Sequence, residues 1–358
     1  MSASRTIEIS GRVVGVATDP YVIAEMSANH CGSLKQALEI VEAAAFAGAD
    51  AVKLQHYKPE TMTVDSPLPD FKITGGTLWD GRTLFDLYGE AMTPWEWTDE
   101  LVRHCEKNQI DCFSTPFDST AVEFLESRNV PVYKIASFEL VDLPLIRLIA
   151  SKGRPVILST GMGSLREIDA AIQTILEVGN DQIVVLRCNS AYPASPAEMD
   201  LLTITEIPRL WPVAVGLSDH TLGSVSAVVA TALGATVFEK HITVSRTNGS
   251  ADAAFSSEPD EFKEYVDDIR LAHASLGSVR FGPSSSEKSS LAFRRSLRAI
   301  RRISAGEPLH KGNVASMRPA GGWAPERLDQ IEKFVALRDI EVGECIDDQR
   351  ATWASTTG

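Results

Sequence analysis

Eight short runs rich in Val, Ile and Leu, each followed by a helical pattern, fill the first 280 residues and constrain the fold more than any other feature. The runs are Tyr21–Glu25, Ala51–Gln55, Asp111–Ser114, Val132–Ile135, Pro155–Ser159, Ile183–Arg187, Val213–Leu217 and Thr236–His241. Most lack alternation of apolar and polar residues, as expected of parallel strands covered on both faces. The intervening segments carry helix signals. Ser33 with Gln36 forms a capping-box pattern, Leu34, Ala37, Leu38, Val41 and Ala45 make an apolar face, and Gly48 stops the helix. Ser164 with Glu167 repeats the device ahead of Ile168, Ile172 and Ile175, and Gly179 closes it. Eight strand–helix units in about 260 residues predict a (β/α)8 TIM barrel of the α/β class. A doubly wound open sheet is the alternative, but no GxGxxG follows the first run.

The barrel is expected over residues 1–281. Residues 282–291, opening Gly282-Pro283-Ser284-Ser285-Ser286, have linker chemistry, and residues 292–358 read as a small domain of short strands and tight turns.

The charge is −14 and unevenly spread: residues 286–358 carry 12 basic against 10 acidic side chains, leaving 22 against 38 in residues 1–285. That balance argues against a nucleic-acid groove or a grip on anionic membrane. No apolar stretch reaches a membrane span; Val225–Phe238 is short and broken by Ser226, Thr231 and Gly234. Met1–Gly15 does not read as a signal peptide, and five cysteines with no CxxC pair suit a reduced cytoplasmic protein.

In such barrels chemistry gathers at the C-terminal ends of the strands. There the sequence places Glu25 with Asn29-His30, Lys53 and Gln55, Ser114-Thr115, Lys134 and Ser137, Ser159-Thr160, Asn189-Ser190 with Tyr192, Ser218-Asp219-His220, and Glu239-Lys240-His241. Buried ammonium groups need an anion. Lys53 and Lys134 therefore point either to ion pairs with Glu25 or Glu139 or to a small multiply charged substrate, held also by the hydroxyls of Thr115, Ser137, Ser159 and Ser218. His220 and His241 end neighbouring strands, about 4.8 Å apart. They could share one divalent cation, with Mn, Co, Fe or Zn all suitable, or each could bond a loop carbonyl. Glu25 is the best acid/base candidate, its alternative role being a structural partner of a lysine. Cys31 and Cys188 read as small packing residues.

The runs AEMSANH (Ala24–His30), GADAVKLQ (Gly48–Gln55), FSTPFD (Phe113–Asp118), YKIASFE (Tyr133–Glu139), STGM (Ser159–Met162), GLSDHT (Gly216–Thr221) and EKHI (Glu239–Ile242) resemble the sialic acid synthase family. Within it, LWDGRTLFDLY (Leu78–Tyr88), TPWEW (Thr93–Trp97), ASFE (Ala136–Glu139) and FRRSL (Phe293–Leu297) are most similar to the pseudaminic acid branch. Cys31, His56 and Arg187 depart from the residues usual there. The segment from Ser286 is similar to the family's antifreeze-like (SAF) domain, through MRPAGG (Met317–Gly322).

The resemblance implies a metal-dependent transferase joining phosphoenolpyruvate to a 2,4-diacetamido-2,4,6-trideoxyhexose in its aldehyde form. N-acetylneuraminic or legionaminic acid synthesis by the same chemistry is an alternative. It further implies that Lys53, Thr115, Lys134, Ser137, Ser159, Ser190 and Ser218 hold phosphoenolpyruvate, with Asn189 as a rival to Ser190. His220 and His241 would bind the metal, most commonly Mn2+, with Co2+ or Mg2+ as substitutes. Glu25, Glu139 and Arg318 would be catalytic, and Gln55, Tyr192, Asp252, Phe293 and Arg318 would face the sugar. Arg318 would reach a partner's barrel in a domain-swapped homodimer. A Schiff-base aldolase using Lys134 and a non-catalytic carbohydrate-binding protein remain as other readings.

Overall fold

The computed structural model describes residues 5–74, 76 and 78–354, which divide into two compact units at the Gly277–Ser278 junction. All eight expected strands form, and they close into one parallel barrel. They are β1 (Tyr21–Glu25), β2 (Ala51–His56), β3 (Asp111–Pro116), β4 (Tyr133–Ile135), β5 (Val156–Ser159), β6 (Ile183–Cys188), β7 (Ala214–Asp219) and β8 (Val237–His241). Pairing of β8 with β1 closes the ring, with His241 opposite Glu25. The helices that follow are α1 (Leu34–Phe46), α2 (Thr98–Lys107), α3 (Ser119–Glu126), α4 (Leu143–Ala150), α5 (Leu165–Glu177), α6 (Thr203–Leu210), α7 (Val225–Ala232) and α8 (Pro259–Leu276).

Strand parity sorts the core. Tyr21, Ile23, Ala51, Phe113, Val132, Ile157, Val184, Leu186, Ala214 and Val237 form one buried cluster, the barrel interior. Alternate residues such as Val22, Ala24, Val52 and Val185 join the helices in the outer layer. Both faces are therefore apolar along most of each strand, and alternation is hidden in the sequence. Ile7, Ile9 and Val14 also belong to the inner cluster. They sit on an antiparallel hairpin, Ile7–Ile9 with Arg12–Val14, which closes the N-terminal end of the barrel and was not expected. Its turn, Ser10-Gly11, has φ of 50° and 78°, the paired positive values of a type I′ turn.

The helix signals hold with one correction. Ser164 and Glu167 form a reciprocal capping box. Ser33 accepts from the Gln36 amide, but the Gln36 side chain donates to the Asn29 carbonyl at 2.8 Å, so only half of that box exists. The buried face of α1 is Ala37, Ile40, Val41 and Ala44, rotated slightly from the expected stripe.

Gly216 sits where β7 and β8 approach closely: a Cβ there would lie 2.0 Å from the Val237 carbonyl oxygen and 2.6 Å from Leu186 Cδ2. Gly216→Ala should cost about 3 kcal/mol by forcing β7 and β8 apart. Thermal unfolding is expected to show a midpoint lowered by several degrees; an unchanged midpoint would mean that the strands separate freely.

The second unit holds its own core of Leu297, Ile303, Leu309, Trp323, Phe334 and Ile346, among others. Ser296–Ala299 pairs with Val314–Met317, and Phe334–Ala336 with Ala351–Trp353, giving the short strands that the sequence suggested. Among the described residues no helix is long and apolar enough to cross a membrane.

Candidate active site

The last inward-facing residue of nearly every strand opens into one cavity of about 400 Å³ at the C-terminal mouth. Its lining includes Glu25, Lys53, Gln55, Lys134, Ser137, Glu139, Ser159, Cys188, Tyr192, Ser218, His220, Glu239, His241 and Asp252. Twelve of the expected residues, spread along the chain from Glu25 to Asp252, thus converge, together with Glu239 and Cys188, to which the sequence assigned no site role.

The centre is an ion network. Lys53 Nζ lies 2.8 Å from Glu25 Oε2 and 3.5 Å from Glu239 Oε1, and it donates to Thr115 Oγ1 at 3.1 Å. Lys134 Nζ lies 3.7 Å from the same Glu239 oxygen and donates to Ser159 Oγ at 2.7 Å. Ser218 Oγ reaches Glu239 Oε1 at 3.4 Å. Glu239 thus bridges both ammonium groups, yet its second oxygen is buried with no hydrogen-bond partner, as is Glu139 Oε2. Burial would lower Lys53, but Glu239 and Glu25 hold it above its ordinary value. Burial lowers Lys134, helped by repulsion from Lys53. Burial raises the Glu25 carboxyl to about 6 against the pull of Lys53, and raises Glu139 to about 7. Two carboxyls poised near neutrality above buried cations can move protons at working pH.

Thr115 is fully buried and supports the site through Lys53. Ser137 accepts from the Gly161 amide at 3.1 Å, and a Cβ on Gly161 would meet Ser190 Oγ at 2.1 Å and Ser137 Oγ at 2.9 Å. Glycine therefore lets two hydroxyls and an amide converge, the arrangement an oxyanion uses; the signal was the Gly of STGM directly after β5. The Asn189 side chain is committed to the Glu198 carbonyl and the Ala191 amide, which favours Ser190 over Asn189.

The rings of His220 and His241 lie 5.5 Å apart, close enough to share one cation. Tyr192 packs on His220 at 4.3 Å, and Phe255 on His241 at 5.0 Å, fixing both imidazoles. Burial and His220 hold His241 neutral, well below its ordinary value, and its Nδ1 is buried without a partner. His220 Nδ1–H donates to the Asn189 carbonyl, 2.7 Å away. No group of three or more His, Cys, Asp or Glu placed to hold a metal occurs among the described residues. The pair fits an open cation site completed by water and substrate oxygens, and not a closed structural one.

Cys188, which reads in the sequence as a small packing residue, is buried and also lines the cavity. Burial pushes its thiol up, but His220 with the hydroxyls of Ser137 and Ser218 brings it down to about 6. On the other side Gln55 donates to Glu25 at 2.7 Å and to Ser27 at 3.1 Å, and Ser27 bonds Asp252, placing Gln55 and Asp252 on one polar edge. Phe293 and Arg318 belong to the second unit, where both are exposed.

Fold and site together define a barrel enzyme whose cavity gathers two lysines, a set of hydroxyls and a pair of imidazoles. The chain belongs to the NeuB family, whose model matches residues 40–281, and is an enzyme of the sialic-acid-synthase type. It is 40% identical over 328 residues to the pseudaminic acid synthase of Campylobacter jejuni strain 81-176, covering 92% of this chain and 95% of that protein. Identity to the pseudaminic acid synthase of Helicobacter pylori is 42% over 314 residues, covering 87% and 92%. Among solved structures it is similar to the N-acetylneuraminic acid synthetase of Leptospira borgpetersenii serovar Hardjo-bovis in complex with citrate, with a TM-score of 0.72, 29% identity, and coverage of 80% and 95%.

Proposed function

We propose that this chain condenses phosphoenolpyruvate with the aldehyde form of a 2,4-diacetamido-2,4,6-trideoxyhexose and water, giving pseudaminic acid and phosphate. The observation that carries the reading is the pair of fully buried lysines facing the cavity, ringed by hydroxyls, in a strongly acidic chain. The names of the pseudaminic acid synthases it resembles supply the product.

Lys53 and Lys134 take the phosphate and carboxylate of phosphoenolpyruvate, with Ser137, Ser159, Ser190 and Ser218 donating to its oxygens and Thr115 steadying Lys53. Its C3 attacks the aldehyde carbon and forms the new C–C bond, while the aldehyde oxygen takes a proton from Glu139. Water adds to the electron-poor C2 and gives a proton to the Glu25 carboxylate. The C2–O bond to phosphate then breaks, its electron pair leaving with phosphate, as the new C2 hydroxyl passes its proton to the departing phosphate oxygen and becomes the ketone. Holding both substrates in one enclosed site supplies several kcal/mol of the rate enhancement. A divalent cation, Mn2+ by family resemblance, would be held by His220 and His241 and would supply polarisation of the aldehyde oxygen. Gln55, Tyr192 and Asp252 face the sugar.

We further read the second unit as an antifreeze-like domain that brings Phe293 and Arg318 to the sugar in a domain-swapped homodimer. Five free cysteines suit work in the cytoplasm.

The test is phosphate release from phosphoenolpyruvate with a panel of candidate sugars. Release should require both substrates and be greatest with a diacetamido-trideoxyhexose. EDTA should cut it at least about tenfold and Mn2+ restore it. No release with any sugar would refute the reading, and a preference for N-acetylmannosamine would reassign the chain to neuraminic acid synthesis.

A further inference from the structure

The cavity has two chemically unlike sides. Strand ends provide the charged floor. The other side comes from the long connection between β2 and α2, residues 57–97, which contributes Met62, Ile73, Leu84, Leu87 and Ala91 to the lining. The connection lies outside the eight apolar runs. It contains helices at Pro59–Met62 and Leu84–Ala91 and a bridge between Lys72 and Thr83 that ties its middle together. Thr83 caps the second helix by accepting from the Asp86 amide, which orients Leu84 and Leu87. Leu87 is buried, and Met62, Ile73 and Leu84 are half-buried.

The indole N–H on this side is engaged away from these four side chains. The Trp79 indole N–H donates to the Ala251 carbonyl at 3.0 Å, leaving an apolar ring that meets Tyr192 at 6.0 Å. Tyr88 stands edge-on to Tyr57 at 5.8 Å, and burial, helped by the charge of Glu139, raises its hydroxyl. Through Tyr192 and Glu139 the wall therefore adjoins both the imidazoles and the acid/base group. The reacting end of an aldehyde sugar must sit over the anion floor, because the C–C bond forms there. Its far end is then directed toward residues 57–97.

We propose that Met62, Ile73, Leu84 and Leu87 form a specificity wall that receives a methyl-ended, hydroxyl-free tail of the acceptor and rejects its hydroxylated counterpart. The inference rests on the condensation reading above and adds which residues select the sugar. None of the four side chains can replace the hydrogen bonds that a terminal hydroxyl loses on leaving water. A wall of this kind discriminates against an added hydroxyl by up to about 100-fold and no more, because an apolar pocket cannot exclude an isostere outright.

The experiment compares kcat/KM for a 6-deoxy diacetamido acceptor with that for its 6-hydroxy counterpart at saturating phosphoenolpyruvate. The full-length chain should favour the deoxy sugar by about 10- to 100-fold. Leu84→Asn and Ile73→Thr should each narrow the ratio at least about threefold, with KM for phosphoenolpyruvate unchanged as evidence of an intact floor. Phosphate release with a ratio near one, or a ratio unmoved by both variants, overturns the wall's role alone. Absence of release from every acceptor overturns the condensation reading and this inference with it.

Discussion

Lys134→Met is expected to lower kcat/KM for phosphoenolpyruvate by about 10³-fold, measured by phosphate release at saturating sugar. Two effects combine. The variant loses a charge-assisted donor from an enclosed site, and it takes from Glu239 one of the two ammonium groups it bridges. Burial already lowers Lys134, so its ammonium is costly to keep and is sustained by Glu239 and the Ser159 hydroxyl. An arriving trianion would strengthen that charge. The same lysine separates the synthase from a Schiff-base aldolase. Borohydride with a carbonyl substrate should leave the wild-type enzyme active, and covalent trapping on Lys134 would establish the aldolase.

The second large effect concerns Glu139. With Glu25 raised to about 6 and Glu139 to about 7, both chiefly by burial, the free enzyme should show a narrow bell in kcat/KM. Activity rises as Glu25 loses its proton and becomes the base, then falls as Glu139 loses the proton it must donate. Glu139→Gln should reduce kcat by about 10²- to 10⁴-fold and remove the alkaline limb, leaving the acid limb in place. A variant that is slowed but keeps the wild-type alkaline limb would show that Glu139 is not the acid.

Much of the fold was legible because βα repetition shows in composition alone: apolar runs bounded by Ser caps and Gly stops need no tertiary knowledge. The finer structure of the site was not. In the triplet Glu239-Lys240-His241 all three residues read alike, yet strand parity sends Glu239 and His241 inward, while Lys240 turns out to pair with Asp219 at 3.2 Å. Fixing His241 inward would have placed Glu239 beside the lysines, but strands apolar on both faces give little sign of parity. The same rule puts Cys188 inward, two residues beyond Leu186 of the inner cluster. Residues 57–97 were opaque for a different reason: short helices joined by turns have too few repeats to show a period. The N-terminal hairpin was available from Ser10-Gly11 between apolar residues, and its three-residue strands fell below the length at which a pattern registers.

The most direct measurement is a crystal structure of the enzyme with phosphoenolpyruvate and Mn2+. The account predicts the anion's phosphate and carboxylate within hydrogen-bonding distance of Lys53 and Lys134, and one ion shared by His220 and His241. An anion bound elsewhere, with both lysines still closed on Glu239, would contradict it.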